Sequence, residues 1–262
     1  MYQDEHLVAI DKPAGLLVHR TALDAGETRF AVQLLREQIG QPVWPLHRLD
    51  KGTGGVLLFG LSAHAASASS SLFESDSGIV KTYHAVVRGW PPAQGLIDHP
   101  LARLRDDTRA TARGLQVQAA RTRFRTLARY ALPAPDRAFA HTRCALLELT
   151  PDTGRRHQLR RHCKHMAHPI IGDATHGKGP LNRALAAVLG MQRLWLHASA
   201  LALTHPVSGA PLRIAAPRGS EWQVWEAFTA PDEAGTAQGD QPAFSRPART
   251  NSYSSTLNSA GT

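Results

Sequence analysis

At 262 residues the chain is long enough to bury a substantial core, as one domain or as two closely joined lobes. Its hydrophobic content of 42% fits a globular protein, and no apolar run approaches the roughly 18 residues that a membrane-spanning helix needs. Of the formal charge of +9, residues 1–230 carry +10, because residues 231–262 set only Arg246 and Arg249 against Asp232, Glu233 and Asp240, a net of −1. A basic excess there suits a polyanionic partner such as nucleic acid, although many small enzymes are basic for solubility alone.

The N-terminus, MYQDEHLVAIDKP, carries acids where a secretory signal carries positive charge, which argues against export. Cys144 and Cys163 match no metal spacing and form no disulfide framework, so a reduced, cytoplasmic setting is expected. HLVAIDKPAGLLVH predicts two short strands, Leu7 to Ile10 and Leu16 to His19, joined by a Lys-Pro-Ala-Gly turn. Apolar residues at 31, 32, 34, 35 and 39 predict a helix over Thr28 to Ile39, stopped by Gly40. Val56 to Leu61 reads as a buried strand, Ala63 to Glu74 as a helix capped by Ser62, and Lys81 to Trp90 as a strand.

From Arg103 to Arg143 there are ten arginines and three acids. Within this stretch Ala119 to Tyr130 alternates as a strand, with Arg121, Arg123, Arg125, Leu127 and Arg129 on one face. Such a face is a basic ribbon or a solvated surface, and the pattern favours neither. Arg143 to Leu149 is a further strand. The helix from about Arg156 to Ala167 turns Leu159, Cys163 and Met166 to the core. Leu194 to Thr204 and Leu212 to Ala215 are strands linked by a hairpin at Pro206 to Gly209. From Pro231 the chain is rich in Ala, Gly, Ser, Thr and Pro, so a disordered tail over 231–262 is expected beyond a domain of 1–230. Strands outnumber helices, which gives an α+β class around a large, mostly antiparallel sheet.

The stretch His47 to Phe59, HRLDKGTGGVLLF, carries the chemistry. Asp50 stands just before a Gly/Thr turn that feeds a buried strand, held on a rigid element yet at its edge. An aspartate before a turn is often only a turn or cap residue. This run resembles the active-site motif HRLDRxTSG of the RluA family of RNA pseudouridine synthases. TGRRHQLRRHCKHMAHPIIGD (Thr153 to Asp173) resembles that family's second signature. DEHLVAIDKPAGLLVH (Asp4 to His19) and LWLHASALALTHP (Leu194 to Pro206) resemble two more blocks, in the same order.

The resemblance implies the pseudouridine synthase fold, a bent sheet flanked by helices around a central basic cleft. It implies isomerisation of uridine to pseudouridine without metal or cofactor, in tRNA (position 65 of the T-stem), by a monomer. The rivals are a uridine of 23S ribosomal RNA, a dual tRNA and rRNA specificity, or a catalytically idle RNA-binding protein on the same scaffold. A retaining glycosidase would need a second carboxylate about 5 Å from Asp50, which no motif supplies. The chain opens almost at once in the catalytic domain with no S4-like module, as do the family's shorter members that act on tRNA.

Carried over by motif, Asp50 is the essential carboxylate, acting on the sugar as nucleophile or as base. Arg160, of the HQxR motif, is its guanidinium partner, whose planar fork can bind both carboxylate oxygens and oppose the loss of charge that burial favours. Tyr83 packs against the target base, and its hydroxyl can assist proton removal from carbon 5. Arg48 fills the place of the extruded base. Arg156 and Lys164, at i±4 from Arg160, are expected to meet RNA phosphate, and Arg155 and Arg161 the solvent. His47 is read as structural. His157, His162, His165 and His168 lack the companions of a zinc set. The chain departs from the motif at Lys51, Gly52 and Gly54, and the added glycines predict a looser loop after Asp50.

Overall fold

A computed structural model describes residues 1–20, 26–74, 78–103, 116–134 and 141–230, which fall in one unit, Met1–Ala230. The tail expected over 231–262 lies outside the described residues. Chain order is β1 (Tyr2–Gln3), β2 (Leu7–Lys12), α1 (Ala31–Ile39), β3 (Trp44–Pro45), β4 (Gly54–Gly60), α2 (Ala63–Glu74), β5 (Ile79–Arg88) and β6 (Gln94–Asp98). There follow β7 (Leu101–Ala102), β8 (Val117–Gln118), β9 (Arg121–Pro133), β10 (His141–Pro151), α3 (Gln158–His165), α4 (Gly179–Leu189), β11 (Leu196–Thr204), β12 (Pro211–Ala215) and a 3-10 helix, Ser220–Phe228.

Among the described residues one large sheet runs β1-β2-β4-β11-β5-β10-β9-β6, with β12 on β11 and β3 on β4. Every pair in it is antiparallel except β4 with β11. That gives the expected α+β class. β10 shows how both faces are covered. Ala145, Leu147 and Leu149 pack with Leu159 and Cys163 of α3, while Cys144 and Leu146 pack with Leu185 of α4 and with Trp222 and Trp225. β4 is buried along its whole length because Leu57 and Phe59 face α1, and Val56 and Leu58 face β12 and α2.

Two local expectations need correction. Leu16 to His19 is not a strand. Leu17 makes one isolated bridge to Phe30, and the carbonyls of Leu17 and Val18 accept the first N–H groups of α1, from Ala31 (2.8 Å) and Val32 (3.1 Å). That segment is a backbone cap, so α1 starts at Ala31 and not at Thr28. Gly40, left-handed at φ 70°, ends the helix as expected, and Ser62 Oγ accepts from Ala65 N (3.0 Å) at the start of α2.

The arginine row of β9 is the second correction. A bulge at Leu127 shifts the register, so Arg125 pairs with Glu148 while Arg129 pairs with Ala145. Those two positions of β10 lie on opposite faces. Arg121, Arg123 and Arg125 therefore stand on the face away from α3, each bonded to an acid: Asp98 (3.0 Å), Asp152 (2.6 Å) and Glu148 (3.1 Å). Arg129 crosses to the α3 face, where it and Arg143 lie over the Trp90 ring at 5.6 and 4.4 Å. No continuous ribbon of five positions forms.

Candidate active site

The loop between Asp50 and β4 is tied from below. Lys12, at the end of β2, is fully buried, and its Nζ donates to the carbonyls of Leu16 (2.7 Å), Pro13 (2.9 Å) and Lys51 (3.3 Å). Gly15 N donates to the same Lys51 carbonyl (2.8 Å), and Thr53 N closes the turn on the Asp50 carbonyl (3.0 Å). Burial lowers the Lys12 pKa to about 8, against the upward pull of Asp50 and Asp11. The two added glycines sit against close neighbours: a Cβ on Gly52 would lie 3.0 Å from Leu194 Cβ, and one on Gly54 3.3 Å from the Lys12 carbonyl oxygen.

Asp50 thus projects from an anchored turn with its side chain 30% exposed. Arg160, on the first turns of α3, reaches it from 110 residues away, Nη1 donating to Oδ2 at 3.0 Å. The fork itself points elsewhere. Arg160 Nε and Nη2 hold both oxygens of Asp173, at 2.7 and 2.8 Å. Asp173 is 2% exposed and also accepts from Thr175 N and His176 N. Burial alone would raise its carboxyl, but Arg160 and those N–H groups outweigh it and hold the pKa below the usual carboxylate range. The bidentate partner of Arg160 is therefore Asp173, and Asp50 takes the third N–H, which corrects the expected two-oxygen clasp on Asp50.

Tyr83, in the middle of β5, is half-buried between the core patch around α3 and the one around α1. Burial, then the charge of Asp50, raises its phenol above the ordinary range. Arg48 is exposed two residues before Asp50, and Arg156, just before α3, and Lys164, on α3, are exposed as well. Arg161 is half-buried, and Arg155 Nε donates to the Ala119 carbonyl (3.1 Å), so neither simply faces solvent. His47 accepts from Leu58 N (3.1 Å) and stacks on Phe73 at 5.3 Å. Burial and Lys81 lower its pKa to about 3, which suits the structural reading.

Four neighbours have no role that the motifs predict. Asp173 closes the second signature. Gln158 is buried, its Oε1 accepting from Thr153 Oγ1 and Arg155 N and its amide donating to the Arg121 carbonyl and Thr122 Oγ1, which docks α3 on β9. Lys12 lies under the Asp50 loop; β2 runs on to it, past the Leu7 to Ile10 strand expected, so it closes the strand and does not open a Lys-Pro-Ala-Gly turn. His157 stands in left-handed backbone, φ 54°, with Nε2 3.8 Å from Asp50 Oδ1 and Nδ1 3.1 Å from His176 Nε2. The other histidines of that cluster bond or stack separately: His162 with Thr122 and the His99 carbonyl, His165 on His99, and His168 with the Arg88 carbonyl.

On this large sheet a carboxylate that is 30% exposed meets a buried guanidinium, and its charge reaches the phenol of Tyr83. Residues 6–165 match the RNA pseudouridylate synthase family, and the chain belongs to that family. A protein of Vibrio cholerae named tRNA pseudouridine synthase C is 48% identical over 225 residues, 85% of this chain and 92% of its own length. Its namesake from Vibrio vulnificus is 45% identical over 90% of this chain and 98% of its own. Two human structures share the fold. RNA Pseudouridylate Synthase Domain Containing 4 has a TM-score of 0.62 at 27% identity, covering 86% of this chain and 90% of its own. RNA Pseudouridylate Synthase Domain Containing 1 has a TM-score of 0.64 at 24% identity, covering 83% and 82%.

Proposed function

We propose that the protein isomerises uridine to pseudouridine in tRNA, at position 65 of the T-stem, as a cytoplasmic monomer. The reaction breaks the bond between ribose carbon 1′ and uracil N1 and rejoins the ring through carbon 5. No group enters or leaves and no electrons are exchanged with another molecule, so the chemistry requires no cofactor. Asp50 acts at the sugar, Arg160 supplies the carboxylate with a charged donor, and Tyr83 packs on the base. Arg48 occupies the stack vacated by the extruded nucleotide, offsetting part of the few kcal/mol lost on flipping. Arg156 and Lys164 meet the RNA backbone. The observation that carries this reading is the 3.0 Å contact between Arg160 and Asp50, drawn from two remote signatures.

The test is pseudouridine mapping in total RNA from cells with and without the gene, beside turnover of tRNA transcripts by purified protein. One tRNA pseudouridine, at position 65, is expected to vanish with the gene. Asp50→Asn is expected to abolish turnover while RNA affinity stays within a few-fold. Loss confined to ribosomal RNA would move the substrate, and turnover by the variant would remove Asp50 from the chemistry.

A further inference from the structure

We propose that His157, held by His176, is a further catalytic residue, the base that removes the proton from carbon 5 after the uracil has been rejoined to the ribose. This deepens the reading above and rests on it.

The geometry is specific. Among the described residues only His157 and Ala167 are non-glycine residues with positive φ. That conformation costs a β-carbon-bearing residue free energy and is kept where surroundings demand it. At the head of α3 it sets the imidazole between two partners. On one side Nδ1 is 3.1 Å from His176 Nε2, and the two rings meet edge to face at 80°. On the other, Nε2 faces Asp50 Oδ1 at 3.8 Å, too long for a hydrogen bond, while Asp50 Oδ2 is already occupied by Arg160. A proton on Nδ1, donated to His176, leaves the Nε2 lone pair open toward the place where the sugar–base bond must lie. His176 is itself fixed, since its backbone N–H donates to buried Asp173 (2.8 Å).

The chemistry needs such a group. When carbon 5 attacks carbon 1′, it becomes tetrahedral and keeps its hydrogen, and the ring holds a C6=N1 double bond. His157 Nε2 takes that hydrogen as a proton, and the C–H electron pair forms C5=C6. The former C6=N1 pair moves onto N1, which takes a proton from solvent, and the imidazolium returns its own proton to solvent. Atoms and charge balance. Tyr83 is the other nearby candidate, but burial and the charge of Asp50 keep it a phenol and therefore a poor acceptor. His157 is displaced the opposite way. Burial, Arg160 and Arg156 favour neutral imidazole more than Asp50 and Asp173 oppose it, which leaves the ring free to accept a proton.

The test uses His157→Asn and His157→Gly in the full chain, both residues that accept left-handed backbone. Single-turnover rates are measured on tRNA carrying protium or deuterium at carbon 5 of the target uridine. Each folded variant is expected to lose about 10²-fold or more in rate with RNA affinity unchanged. Each should also show a primary deuterium isotope effect larger than that of wild type, because proton removal becomes limiting. A merely structural role would slow both substrates equally. Rates close to wild type, or a slower reaction with no larger isotope effect, overturn the proposal. Wild-type turnover in the same assay separates that outcome from failure of the functional reading.

Discussion

Arg160 serves two acids with one planar group. Two of its N–H directions are locked by Asp173, so the third is aimed at Asp50 with little rotational freedom left. A lysine has no such fork and could not hold both. Asp173→Asn leaves the buried guanidinium with one charged partner, which is expected to cost about 3 kcal/mol of stability. It should also slow isomerisation through misaimed Arg160. The pH dependence has a definite sign. Because the folded pKa of Asp173 is depressed, its stabilisation is full above about pH 4, its ordinary value, and drains away as pH falls through the folded value. Urea unfolding across the acid range should show a shallower loss of stability in the variant than in wild type. Parallel curves would mean the pair contributes nothing.

At the scale of elements, the site depends on the only parallel pairing among the described strands of the sheet, His197 and Ala198 of β11 beside Gly54 and Gly55 of β4. Gly55 has φ 107°, and a Cβ there would meet the Ala198 carbonyl oxygen at 2.2 Å. Gly55→Ala therefore combines backbone strain with a clash against main chain that cannot rotate away. A loss of about 3 kcal/mol or more is expected, read as a lower denaturant midpoint with unchanged slope. Stability equal to wild type would show that the two strands can part without penalty. Helix α4 is not among the elements that periodicity predicts, although Pro180 in its first turn and Gly190, left-handed at its end, are ordinary boundary signals.

At the scale of the molecule, the charge of +9 is less concentrated on the α3 face than a count of arginines suggests. Arg121, Arg123 and Arg125 lie on the opposite face and are already paired with acids. Exchanging all three for Gln should leave RNA affinity and its salt dependence near wild type. Exchanging Arg156 and Lys164 should weaken binding and reduce the slope against log salt by about 1 for each phosphate no longer neutralised. The reverse ranking, in filter binding across a salt series, would put the RNA on the other face. Truncation after Ala230 keeps the closing contacts of the unit, Tyr130 with Thr229 and Ala230 N to the Arg129 carbonyl (2.8 Å). Melting temperature and turnover are expected to be unchanged. A drop in either would show that residues 231–262 contribute.

Much of this molecule is local physics. The strands at Leu7, Val56, Lys81 and Leu194, the Ser62 cap and the Gly40 stop follow from side-chain alternation and backbone preference, which act over a few residues. The motif around Asp50 and the one around Arg160 are likewise contiguous runs, so their residues are legible in order. What a linear pattern cannot carry is pairing. A single extra residue at Leu127 moves Arg129 to the other side of the sheet, and nothing in an alternating sequence marks where a ladder slips. Asp173 and Lys12 gain meaning only when burial removes water and forces each charge to find partners. The approach of His157 to Asp50 required the chain to bring together a turn and a helix that its own order keeps far apart.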